Sequence, residues 1–366
     1  MINVKGSPGL YVCEEGALDH LENLLKSHGF KKGILIRGNK SWEAAAPYFP
    51  RMSEVRLTEV VYRGECSDPE TRRIADIYQS EGAEFVLGVG GGKILDLTKA
   101  VANEVKGKAV LVPTLASTCA AWTSLSVIYT EEGVYERLQV YPRSTLMVLI
   151  EPRILLDSPV EYMKAGIGDT LAKWYEAEAL TRNKKNLRFP VLMAMQGAQL
   201  CRDLLLADSA EAIASMERKA MSHALLNIIE LNIMVAGLCG GFGDNEVRIA
   251  AAHSVHNGLT RLEETHHLLH GEKVAYGILV QLALEGQWEE IDRLIGFYRE
   301  IGLPYSLASL GVDSGRGDKL RLVAEGALAP GESIHFMEGN YTVDDVVRAM
   351  LALEDRYAGD ATAARP

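Results

Sequence analysis

Up to about residue 152 the chain alternates short apolar runs with amphipathic helical stretches, and beyond that point the alternation stops. The runs KGILIRG (32–38), AEFVLGVGGG (83–92) and AVLVPT (109–114) are rich in β-branched residues and bounded by Gly or Pro. Between them SWEAAAPYF (41–49) and PETRRIADIYQSEG (69–82) carry helical spacing. This rhythm predicts a parallel sheet covered on both faces. TSLSVIYTEEGVYERLQVYP (123–142) reads as a hairpin with EEG at its turn.

Downstream, Ser158–Pro159 predicts a cap and a proline in the first turn of a helix. NLRFPVLMAMQGAQLCRDLLLA, MSHALLNIIELNIMVAGLCGG and VAYGILVQLALEGQ are apolar enough for inner helices of a bundle. A chain of 366 residues is too long for one small core. The expectation is α/β plus all-α: an α/β dinucleotide-binding domain over 1–155 and an all-helical domain over 156–366, with the active site in the cleft between them. The tail AGDATAARP (358–366) is small and polar and is expected to fray.

A formal charge of −11 argues against a nucleic-acid partner, which would need clustered Lys and Arg. Five cysteines, an odd number without a CxxC pair, fit a reduced intracellular protein. The first residues lack a signal-peptide core, and no later segment reads as a membrane span. A cytoplasmic protein with no membrane partner is expected.

Two constellations carry chemistry. In LGVGGGKILDLTKA (87–100) a strand, a glycine turn and a helix start follow one another. Gly90, Gly91 and Gly92 can take positive φ and let backbone approach a phosphate, while the helix offers unpaired N–H groups to an anion. Lys93 adds a positive charge and Asp96 lies in the first turn. A bare strand-to-helix turn would read the same way, but PTLAST (113–118) supplies a second turn with hydroxyls, which favours a nucleotide crevice. The other constellation is Asp169, His253 and His270. Asp169 alone reads as an acid opening a helix after GIG, and a lone His253 as a core histidine. Together, one carboxylate and two imidazoles beside glycines suit a catalytic Zn²⁺, or Fe²⁺ in a similar arrangement. His256 shares a helical face with His253, and His266 and His267 read as solvated loop residues.

GECSD (64–68), GGGKILDLTKA, VPTLAST, LSVIYT, GIGDTLAKWYEA, AAHSVHNGLT and LHGEKVAYG stand in an order and spacing that resemble the iron-containing (group III) alcohol dehydrogenase superfamily, in its glycerol dehydrogenase-like branch. TCAAWT, AKWYEA, VAYGILVQ and ESIHF bring the chain nearest to bacterial members that act on hydroxycarboxylates. The resemblance implies a Rossmann-like nucleotide domain and a helical bundle, a layout shared with dehydroquinate synthase-like lyases. It implies NAD or NADP as cofactor and one divalent metal on Asp169, His253 and His270. Pyrophosphate contacts would come from Gly91, Gly92, Lys93 and Asp96, adenine-side or ribose contacts from Thr114 and Ser117, and nicotinamide-side contacts from Thr123, Leu125 and Tyr129. His256 would lie near the nicotinamide, and a homo-oligomer is expected. Relatives with four iron ligands carry a His where this chain has Lys173, so a three-ligand zinc-type site is implied.

Two departures bear on the substrate. Glycerol dehydrogenases carry a polyol-binding Asp where this chain has Cys119, and a ribose-binding Asp where it reads RGNK, with Arg37 and Lys40. A carboxylate substrate beside an Asp would suffer repulsion of about 4 kcal/mol at about 4 Å and dielectric about 20, which a neutral thiol removes. Lys173 offers a positive partner, or simply pairs with a nearby acid. The expectation is a metal-dependent NAD(P)(H) oxidoreductase interconverting 2-oxo and 2-hydroxy carboxylates, with His256, Lys173 and Cys119 at the reacting centre. The alternative is a glycerol or other polyol dehydrogenase. Arg37 and Lys40 suggest tolerance of a 2′-phosphate, or are solvated loop charges.

Overall fold

The computed structural model describes residues 2–312 and 317–357; the tail 358–366, and the fraying expected of it, lies outside them. Among the described residues there are eight strands: β1 (Leu10–Cys13), β2 (Lys32–Arg37), β3 (Arg56–Val61), β4 (Phe85–Gly90), β5 (Lys108–Pro113), β6 (Leu125–Tyr129), β7 (Tyr135–Val140) and β8 (Met147–Ile150). Six form a wholly parallel sheet in the order β1-β8-β5-β4-β2-β3. The expected hairpin is β6 paired antiparallel with β7, with Gly133 at φ 84° in its turn.

Every residue of β4 is buried, as a strand covered on both faces must be. The helix Gly92–Glu104 lies close over β4 and β5 because Gly88 and Gly90 have no side chains: a β-carbon on either would collide with Thr98 or Ile94. Ile34, Ile36, Ile74, Val86, Leu97 and Val101 fill the core between this helix, the helix Asp68–Glu81 and the sheet. β2 stands between β3 and β4, so the chain leaves β2 to one side and returns to the other. The carboxyl ends of β2 and β4 therefore lie at a reversal of strand order, where open α/β sheets take their ligands.

Two compact units make up the chain. One takes Lys5–Val160 and Ala214–Gly241, so the helical run after Ala214 goes with the sheet. The other takes Glu161–Ile213 and the described residues from Phe242 onward, with the few residues before Lys5. The second unit is helical, with Val160–Thr181, Phe189–Glu217, Ala251–Leu259, His270–Leu284, Trp288–Ile301, Gly317–Ala327 and Val343–Tyr357 as its main elements.

Three local expectations are corrected. The Ser158 hydroxyl donates back to the Leu155 carbonyl (2.7 Å), and the helix starts at Val160, after Pro159. The helix Phe189–Glu217 is not wholly internal, since Phe189 is 84% exposed and Leu192, Met193 and Leu200 are also exposed. The run His223–Glu246 does have the length and apolarity of a membrane span, and 56% of its most apolar window is buried inside the protein.

Candidate active site

In the helical unit, three helices meet backbone to backbone. A β-carbon on Gly168 would stand 2.5 Å from the Gly271 carbonyl oxygen, and one on Gly271 would overlap the carbonyl of Ala165. Gly277 likewise leaves no room for a side chain against Ala252. These contacts join Val160–Thr181, Ala251–Leu259 and His270–Leu284 at residues adjoining Asp169, His253 and His270. Asp169 therefore lies inside a helix that runs through GIG, not at a helix opening. Glycine is tolerated there because packing, not propensity, holds the helix.

The three predicted ligands converge. Asp169 Oδ1 lies 3.3 Å from His253 Nε2 and 3.4 Å from His270 Nε2, and one atom from each of the three falls within 4.8 Å of the others. Donors at about 2.0–2.1 Å around a tetrahedral ion stand roughly 3.3 Å apart, so the two Asp–His spacings match. Asp169 Oδ1 is also shielded from solvent with no hydrogen bond to satisfy it among the described residues. Such an orphaned oxygen between two imidazoles fits a cation. His266 and His267 are exposed and outside this cluster, as expected.

Each ring is held from behind. Glu176, fully buried, places Oε2 2.7 Å from His253 Nδ1, and its Oε1 accepts the N–H groups of Ala250 (2.7 Å) and His253 (3.0 Å). Gln281 accepts from Ala252 N–H and donates to the Tyr175 carbonyl, tying the same helices. His270 Nδ1 lies 2.9 Å from His256 Nε2, and His256 Nδ1 lies 2.9 Å from Asn257 Oδ1. Both His256 nitrogens are thus occupied inside the protein. Sequence reasoning missed Glu176, although seven residues after Asp169 is the same helical face; Asn257, Gln281 and Glu332 carried no local signal.

The electrostatics suit a cation. Burial works against the Asp169 charge, but Lys173, 3.6 Å away, with the two histidines, holds the carboxyl well below its usual range. Burial also opposes ionisation of Glu176, and His253 pulls its pKa down. Burial disfavours a proton on His253, yet Glu176 and Asp169 push its pKa up to about 9. Burial, with His270 and His253 nearby, holds His256 well below the ordinary histidine value.

In the sheet unit, Gly91 caps the helix Gly92–Glu104 without any side-chain hydrogen bond. Its φ is −79°, and neither Gly90 nor Gly92 has positive φ, so close approach rather than left-handed backbone explains these glycines. Lys93 pairs with Glu65 and lies 5.4 Å from the Tyr129 ring. Asp96 is turned inward, bonding Lys99 (2.9 Å) and the Val127 N–H (2.9 Å), and burial raises its pKa. Lys99 also donates to the carbonyls of Ala120, Thr123 and Leu125, which sets the turn carrying Cys119. Buried Thr114 donates its N–H to Gly90, Ser117 is half-buried, and Asn232 donates to Ala116 between them. Arg37 ends β2 on Glu59 (2.8 Å) and over Trp42.

Residues 8–152 match the family model described as iron-containing alcohol dehydrogenase. The chain is 38% identical over 354 residues to hydroxycarboxylate dehydrogenase A of Escherichia coli, covering 96% of this chain and 98% of that one. It is 38% identical over 362 residues to a glycerol dehydrogenase of Thermotoga maritima, covering 98% of each. Among solved structures, a probable glycerol dehydrogenase from Sinorhizobium meliloti superposes with a TM-score of 0.86 at 34% identity, covering 97% of this chain and 99% of that one.

Proposed function

The chain belongs to the iron-containing alcohol dehydrogenase family of CH–OH oxidoreductases, and on that premise we propose that it interconverts a 2-oxo carboxylate and its 2-hydroxy carboxylate with NAD(H). One observation carries the substrate class: Lys173 sits 3.6 Å from the ligand carboxylate of Asp169. This places an ammonium beside the residues that would hold the ion, a positive charge that favours an anionic substrate over a neutral polyol. Cys119, where polyol-acting relatives are expected to carry Asp, adds no opposing charge.

Asp169, His253 and His270 would hold the ion, Zn²⁺ by donor set and spacing. The ion, when bound, supplies Lewis acidity to the substrate oxygen, and the nicotinamide carries the hydride. The chain's own residues orient the partners. Glu176 and His256 fix the imidazoles, Lys173 draws the carboxylate, and the turns after β4 and β5 hold the dinucleotide through Gly91, Gly92, Thr114 and Ser117. The Arg37–Glu59 pair occupies the charge that a 2′-phosphate would need, which favours NADH over NADPH. The enzyme is read as a homo-oligomer, and its five cysteines, none in a disulfide, fit a reducing cytoplasm.

The test is turnover of 2-oxobutyrate, 2-oxoglutarate and glycerol, side by side, with both cofactors, on protein of assayed metal content. Dominant glycerol oxidation would overturn the carboxylate reading in favour of a polyol dehydrogenase, which the similar identities to both kinds of relative keep as the second reading.

A further inference from the structure

We infer that Glu332 is a positioning residue for the metal: through Asn257 and His256 it selects the His270 tautomer whose Nε2 is free to bind an ion. The inference rests on the metal site proposed above.

A carboxylate can only accept, and both oxygens of Glu332 lie near Asn257 Nδ2, at 3.1 and 3.0 Å. The amide nitrogen of Asn257 must therefore face Glu332, which turns Oδ1 toward His256 Nδ1 at 2.9 Å. An amide oxygen only accepts, so His256 Nδ1 carries the hydrogen. His256 Nε2 then presents its lone pair to His270 Nδ1, 2.9 Å away, and His270 Nδ1 must be the donor. That leaves a lone pair on His270 Nε2, the atom 3.4 Å from Asp169 Oδ1. With Asn257 flipped, its oxygen would face the Glu332 carboxylate and its amide would donate to His256. The chain would then run backwards and place a hydrogen on His270 Nε2, blocking ligation.

Glu332 is itself anchored to the helix that carries His253 and His256. The next residue, Ser333, donates to the Ala250 carbonyl (2.6 Å) and meets Ser254 Oγ (3.1 Å), while Ile334 N–H bonds Ser254 Oγ (2.9 Å). Both metal-binding imidazoles thus end at a carboxylate, His253 directly at Glu176 and His270 through two intervening side chains. Such outer partners set ligand orientation and tautomer.

The experiment measures Zn²⁺ affinity of the metal-stripped, full-length protein by competition with a chromophoric chelator. Glu332→Ala and Asn257→Ala are expected to weaken binding at least ~10-fold, whereas Glu332→Gln, whose oxygen still accepts, stays within about threefold of wild type on the same scale. In a His256→Ala background, Glu332→Ala should add nothing. Wild-type affinity in Glu332→Ala, or a further ~10-fold loss in the His256→Ala background, would overturn the inference. Thermal melts of the metal-free variants report folding; should Glu332→Ala not fold, undiminished binding by Asn257→Ala overturns it instead. Failure of the wild type to take up zinc would reject the metal site as well, a separate result from intact wild-type binding with an indifferent Glu332.

Discussion

Glu176 Oε2 stands 2.7 Å from His253 Nδ1 while Glu176 Oε1 accepts the backbone N–H of the same histidine. With the Ala250 N–H also bound, one buried carboxylate satisfies two donors at the start of Ala251–Leu259 and orients the His253 ring. Structure and chemistry meet in that single side chain.

Glu176→Gln tests this directly. A glutamine can keep the backbone bonds only by turning its NH₂ toward His253 Nδ1, which drives the ring hydrogen to Nε2. Metal affinity is expected to fall roughly 10–100-fold, and the metal-free fold to lose about 1–3 kcal/mol. Chelator competition and urea denaturation read the two effects; unchanged affinity would refute the assignment.

Gly271→Ala would push a methyl into the Ala165 carbonyl. Separation of the two helices should cost about 3 kcal/mol or more and carry His270 away from Asp169. The variant is expected to melt earlier and to retain less metal. Normal metal content at normal stability would mean that the backbones can part without consequence.

Substrate choice should respond to charge. Cys119→Asp is expected to lower kcat/KM for 2-oxobutyrate by about 100-fold, somewhat less than the full ~4 kcal/mol of an unscreened pair at that dielectric. Lys173→Met should lower it by at least ~10-fold more than for the neutral ketone dihydroxyacetone. Equal losses on acid and neutral substrates would remove the carboxylate argument.

Stability should depend on pH through Glu285. Burial pushes its carboxyl up to about 7 from 4.5, with Glu178 adding to the rise and Arg182, 3.2 Å away, opposing it. A carboxyl raised by folding binds its proton more tightly in the native state. Its contribution is complete below 4.5 and is lost as the pH climbs through about 7. Glu285→Gln should therefore gain on wild type between about pH 5 and pH 8, by no more than ~1.4 kcal/mol per pH unit. Parallel urea midpoints across that range would contradict this.

Much of the sheet was legible because buried parallel strands are written as unbroken apolar runs: KGILIRG became β2, AEFVLGVGGG became β4, and AVLVPT became β5. The hairpin and the convergence of Asp169, His253 and His270 were legible too, from a turn signal and from ligand chemistry. Asp169 was misplaced at a helix opening because GIG reads locally as a break, whereas its glycines answer to a neighbouring backbone that local sequence does not mention. His256 could be paired with His253 by spacing, but its bonds to His270 and Asn257 could not, since apolar periodicity gives no tautomers. Asn257 and Glu332 lie far apart in the chain, and only the tertiary fold joins them. The alliance of Ala214–Gly241 with the sheet is equally invisible, because an apolar helix does not name the surface it will cover.

The glycine crossings at Gly168–Gly271 and Gly277–Ala252 give the ligand cage walls that cannot be repacked by exchanging side chains. An ion bound at zinc-like distances of about 2.0–2.1 Å would fit such a cage as it stands, while a calcium ion, needing oxygen donors at about 2.3–2.6 Å, would have to pry main chains apart. Fitting a larger ion to such a cage would therefore call for redrawing how its helices cross, beyond any exchange of its donors.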